Sequence, residues 1–92
     1  MIVEEESVSV NEFAMTPLKL FPNPANSTIT VSTDVTKADK AVIYDSLGHK
    51  IKSVKLNANL QTIDISNLPV GNYIFVLYRK GKSVSRAMFV KA

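Results

Sequence analysis

The sequence predicts an all-β domain, a seven-stranded antiparallel β-sandwich of the immunoglobulin-like kind. Three observations carry that prediction. From Pro17 onward the chain is a series of short β-branched runs punctuated by turn residues, and seven such runs fit into about 75 residues with no credible helix between them. The 92 residues are 46% hydrophobic, enough for one modest core that buries roughly 60–65% of the unfolded chain's surface. Cysteine is absent, so no disulfide framework replaces that core, and the Cys-Trp-Cys marks of antibody domains are missing.

Leu18-Lys19-Leu20-Phe21 is the first strand, with Leu18 and Leu20 on one face. Pro22-Asn23-Pro24 ends it. Two prolines remove two backbone donors and push Phe21 and Asn23 toward extended conformations, so this segment turns the chain between sheets or lies at an edge. Residues 27–33 alternate cleanly, Ile29 and Val31 inward and the hydroxyl side chains outward. Strands at 40–44 and 49–55 flank Asp45-Ser46-Leu47-Gly48. Asp at the start of a turn and Gly three residues on fit a type I turn followed by a left-handed residue, which makes the two strands hairpin neighbours. Residues 60–65 put Ile63 and Ile65 on one face before Pro69 and Gly71 break the run. Tyr73-Ile74-Phe75-Val76-Leu77-Tyr78 is nearly continuous apolar, as in a central strand, and Arg79-Lys80-Gly81-Lys82 turns tightly into a last strand over 83–91.

Charge is split along the chain. Residues 1–46 carry seven acids against three bases, a net of −4, whereas residues 47–92 carry eight bases against one acid, a net of +7. The basic half suits an acidic partner. It does not read as a nucleic-acid binder, because no helix concentrates the cations and no aromatic residues interleave with them. No thiolate metal site exists without cysteine, and His49 is the single histidine, so no cofactor, metal site or catalytic residue is assigned and an enzyme is not expected. No stretch reaches the roughly 18 apolar residues of a membrane helix. Met1-Ile2-Val3-Glu4-Glu5-Glu6 lacks the features of a signal peptide, which leaves a cytoplasmic protein or a domain cut from a larger one.

Several motifs, taken in order, resemble one known module. They are Phe21-Pro22-Asn23-Pro24-Ala25 before a Thr-rich strand, Val42-Ile43-Tyr44-Asp45-Ser46-Leu47-Gly48, Ile63 through Tyr73 with Pro69 and Gly71, and the basic apolar last strand. Over residues 17–92 the chain resembles the type IX (Por) secretion system C-terminal sorting domain. The resemblance implies a domain at the extreme C-terminus of proteins exported across the outer membrane of Bacteroidetes. The cargo lies N-terminal to it and enters the periplasm through a separate signal peptide. The outer-membrane translocon recognises the domain, and a sortase-like peptidase at the surface cuts upstream of it and joins the cargo to anionic lipopolysaccharide. In the family the export signal is concentrated in the C-terminal strands, so Arg79, Lys80, Lys82, Arg86 and Lys91 are the candidate translocon contacts and a β-edge there is a candidate for strand addition. Pro22, Asn23, Pro24, Asp45, Gly48, Pro69, Gly71 and Tyr73 are expected to serve geometry. Two positions depart from the pattern. His49 stands where the family often has Arg or Lys, and Ala92 extends past the Lys91 that ends many members.

Residues 1–16 read as a mobile linker, and its unpaired backbone is where the cut would fall, with Ser7, Ser9 and Ala14 as candidates. Asn26-Ser27-Thr28 fits an N-glycosylation pattern by chance, and Asp45 in the Asp45-Ser46-Leu47 O-glycosylation-like motif is already explained by its turn. The alternative from another class is an adhesive or carbohydrate-binding sandwich attached to a secreted enzyme. A sugar platform wants exposed aromatics, and the chain has no Trp and only three Tyr. Unpaired edge strands leave an edge-to-edge homodimer open.

Overall fold

The computed structural model of the chain describes residues 16–92. Apart from Thr16, the linker expected over 1–16 lies outside that range, as do Ser7, Ser9 and Ala14. Among the described residues seven strands run β1 (Leu18–Phe21), β2 (Thr28–Thr33), β3 (Lys40–Asp45), β4 (Lys50–Lys55), β5 (Leu60–Asp64), β6 (Gly71–Arg79) and β7 (Lys82–Lys91). All pair antiparallel, in a three-stranded sheet ordered β1-β2-β5 and a four-stranded sheet ordered β4-β3-β6-β7. There is no helix among the described residues.

Alternation builds the core between the sheets. The three-stranded sheet contributes Ile29, Val31 and Ile63, while the four-stranded sheet contributes Ala41, Ile43, Tyr73, Phe75, Leu77 and Phe89. Successive strand residues point to opposite faces, so these odd-numbered positions share one inner layer. Ile65, just past β5, is buried with them. Leu18 and Leu20 sit half-buried against this layer, on one face of β1 as predicted.

The outer face of the four-stranded sheet is also apolar at its centre. Val42 pairs with Val76 between the Lys40–Tyr78 and Tyr44–Ile74 pairs. Here the Tyr44 and Tyr78 hydroxyls meet at 2.6 Å, which leans both rings over the valine pair, and Lys40 Nζ lies 5.6 Å from the Tyr78 ring. Both valines are thereby buried without a second layer of secondary structure.

Turn chemistry follows the sequence where it was specific. Gly48 takes φ 89°, its N–H donates to the Asp45 carbonyl at 3.0 Å, and the register slips by one residue between Ile43 and Tyr44. A positive φ beside a one-residue slip is the bulged hairpin that Asp45 and Gly48 predicted. The β6–β7 turn holds Lys80 at φ 49° and Gly81 at φ 84°, the two positive values of a two-residue hairpin whose twist matches its strands.

Three aspartates brace loops in the same way. Asp34, Asp45 and Asp64 accept the N–H groups of Thr36, Leu47 and Ser66, each at 2.9 Å. Each carboxyl is held below the usual carboxylate range, by the Thr36 hydroxyl for Asp34, the His49 N–H for Asp45 and the Ser66 hydroxyl for Asp64. A depressed folded value means that the stabilisation is complete above the unfolded carboxylate value and is lost as pH falls through the folded one. The thermal midpoint is therefore expected to stay level from about pH 7 to about pH 5 and to fall below about pH 4. Asp45→Asn should flatten part of that acid limb. Calorimetry across the range checks this, and a midpoint that rises on acidification would contradict it.

Candidate functional site

The motif segments Pro22-Asn23-Pro24 and Pro69 to Tyr73 converge on the C-terminal half of β7, whereas Asp45 and Gly48 stay in the β3–β4 turn. The predicted Pro22-Asn23-Pro24 segment, with cis peptide bonds before both prolines, does not carry the chain into the other sheet, since β1 and β2 are neighbours in the same one. Instead the loop reaches across and caps the edge of β7. Asn23 Oδ1 accepts the Val90 N–H at 3.0 Å, Asn23 Nδ2 donates to the Met88 carbonyl at 3.4 Å, the Ala25 N–H donates to the Val90 carbonyl at 2.8 Å, and the Ala92 N–H donates to the Ala25 carbonyl at 2.7 Å. On the core side Tyr73 stacks on Phe89 at 5.5 Å and its hydroxyl donates to the Pro69 carbonyl at 2.6 Å. Gly71 pairs with Lys91 at the end of the ladder. Pro69, Gly71 and Tyr73 thus tie the loop before β6 to the last strand.

The five candidate cations do not form one cluster. Arg79, Lys80, Lys82 and Arg86 gather at the β6–β7 turn and the first half of β7, whereas Lys91 stands at the opposite end of the ten-residue strand and is only 9% exposed. Arg79 is already engaged, its guanidinium donating to the Thr36 carbonyl, and the Lys80 N–H donates to Asp39 Oδ2 at 3.0 Å. Lys80, Lys82 and Arg86 have exposed side chains. The sequence pattern missed the covering of Lys91, because only the pairing of β7 with Ala25 creates it.

The edge of β7 is consequently divided. Val90 turns both its backbone groups toward the loop, and the two-residue period of a strand turns Met88 and Arg86 the same way. Beyond the reach of Asn23, the outward N–H and C=O of Arg86 have no partner among the described residues. Beside this open stretch an open groove of ≈ 720 Å³ crosses the outer face, lined by Tyr44, Ile74, Val76, Tyr78 and residues 83–86. Tyr44 and Tyr78 spend their hydroxyls on each other and Tyr73 lies in the core, an arrangement that does not favour a sugar-binding platform. His49 is an exposed hairpin residue bonded to Asp45 at 3.1 Å, and no group of three or more metal-ligating side chains occurs among the described residues.

Comparison with known proteins bears on this arrangement. No curated protein matches the chain. Among solved structures, the sulfur carrier protein SoxY from Chlorobium limicola f thiosulfatophilum is similar over 83% of this chain and 76% of its own, with a TM-score of 0.49 and 18% identity. The family model described as "Secretion system C-terminal sorting domain" matches residues 19–91, from the second residue of β1 to the last residue of β7, so that the match takes in all seven described strands but for Leu18 and the clamp but for Ala92. The chain belongs to the C-terminal sorting domain family of the type IX secretion system.

Proposed function

We propose that the domain is the folded address of a larger exported protein, read by the type IX outer-membrane translocon and then removed. A sortase-like peptidase would cut in the segment before Pro17, in the region of Ser7, Ser9 and Ala14, and join the released cargo to anionic lipopolysaccharide. The protein would pass through the periplasm and finish at the cell surface or in the medium of a Bacteroidetes host. The observation that carries this reading is the family match across the whole two-sheet domain, residues 19–91. Residues 17–92 would be the sorting unit. Its strands, with three in one sheet and β4-β3-β6-β7 in the other, are read as an immunoglobulin-like sandwich, an order consistent with Greek-key connections between the sheets.

Within that reading the motif residues maintain shape, and the exposed cations around the β6–β7 turn meet the receptor. Lys80, Lys82 and Arg86 are the stronger candidates, since Lys91 is largely covered. Catalysis is not part of the role. A fusion of residues 1–92 to a periplasmic reporter in a type IX-competent host should reach the cell surface or the medium, followed by fractionation and immunoblotting. Retention of a folded reporter in the periplasm would overturn the reading.

A further inference from the structure

We infer that the unclamped half of the β7 edge, centred on Arg86, is a docking strip for an extended acidic segment of a protein partner, which joins the four-stranded sheet as a fifth strand. The inference rests on the sorting reading and gives it a contact mode. A sheet edge with unpaired N–H and C=O groups is a template for another strand, and most folds cover such edges. Among the described residues only the far part is covered, where Asn23 and Ala25 take the outward carbonyl of Met88, both outward groups of Val90 and the N–H of Ala92. The near part has no hydrogen-bonding partner among the described residues. Its surroundings fix the chemistry of the occupant. Arg86 lies exposed on the strip, and Lys80 and Lys82 are exposed where it meets the turn, while Asp39, the nearby acid, accepts the Lys80 N–H. Met88, 66% exposed, offers apolar contact where the strip reaches the clamp. An added strand therefore gains by placing carboxylates on the face that meets Arg86.

A second copy of the chain is disfavoured by the same charges. Antiparallel pairing of two such edges about the centre of the strip sets Arg86 of one copy opposite Arg86 of the other, and like charges directly opposite each other destabilise a ladder. The chain's own upstream residues remain as a competitor that the experiment must separate. Leu18 pairs with Thr33, and the nearby Thr36 carbonyl holds Arg79, so the chain enters the sheet at the turn end of β7.

The test uses the full chain and a peptide of about ten residues alternating valine and glutamate, the length of an ordinary to long strand, beside a second peptide alternating valine and lysine. The acidic peptide should slow amide exchange at Arg86 and Met88, and the basic one should not. Arg86→Glu, which keeps an exposed strand residue, should weaken the acidic peptide about tenfold and bring in the basic one. Arg86→Pro removes the outward N–H and should abolish binding, with circular dichroism reporting whether the fold survives. Equal binding of both peptides, or protection along β4 instead, overturns the inference. So does exchange at Arg86 that is already slow in the free chain and speeds up when residues 1–15 are removed, because the strip would then be occupied from within. If the acidic peptide fails to bind while the reporter fusion is still exported, the docking strip falls and the sorting reading stands.

Discussion

Phe75→Ala is expected to remove a large share of the domain's stability. Phe75 is 0% exposed at the middle of the central strand, where its register partners are Ile43 on β3 and Ala87 on β7. Truncating a buried phenylalanine costs about 3–5 kcal/mol, because the lost transfer energy is joined by the cavity left behind. Ala87 is too small to fill that cavity, and Ile43 is held in its own ladder. A domain of this size has a total stability of roughly 4–12 kcal/mol at the usual value per residue, so one substitution removes a large share of it. Urea denaturation should show a much lower midpoint with the slope unchanged. Leu47→Ala, at a side chain 81% exposed in the β3–β4 turn, is the control and should move stability by less than about 0.5 kcal/mol. A Phe75→Ala midpoint within that control's range would mean that the core is not built around this ring. In the reporter fusion the same variant asks whether shape is read at all, since normal export of an unfolded Phe75→Ala domain would sink the idea of a folded address.

The strands and their inward faces were legible because they rest on local rules. Ile29 and Val31 alternate with hydroxyl residues, and Asp45 and Gly48 carry the turn chemistry of one hairpin, so a window of a few residues contains the whole signal. The candidate site was legible only in part. Its motif residues and cations were named from the family resemblance, but their arrangement depends on pairings across the chain. Asn23 reaches Val90 over 67 positions, and Tyr44 meets Tyr78 over 34. No local pattern encodes such a contact. Lys91 shows the cost of that gap, for a lysine in a basic terminal strand reads as a solvated charge until Ala25 is found beside it. The division of the β7 edge into a clamped and an open half has the same origin, and it sorts the candidate cations by access.

Deleting Phe89–Ala92 is expected to abolish both folding and export. The four residues remove Phe89, 1% exposed and stacked on Tyr73, together with the Lys91 bridge to Ala25 and three of the four bonds of the Asn23–Ala25 clamp. Loss of the phenylalanine alone is worth about 3–5 kcal/mol, and the lost edge pairing adds to it at roughly 1 kcal/mol for each net hydrogen bond. Removing Ala92 alone costs one bond at an exposed terminus, so it should lower the urea midpoint only slightly. The chain ending at Met88 should lose the dispersed amide spectrum of a packed sandwich and leave the reporter in the periplasm. A truncated chain that kept its cooperative transition would show that β7 is dispensable to the core, which its burial forbids. Because folding and export are lost together in this deletion, it tests the strand as structure. Recognition is tested by Arg86→Glu, where the side chain is exposed, the ladder to Val76 is untouched, and a loss of export with an unchanged urea midpoint belongs to the receptor contact alone.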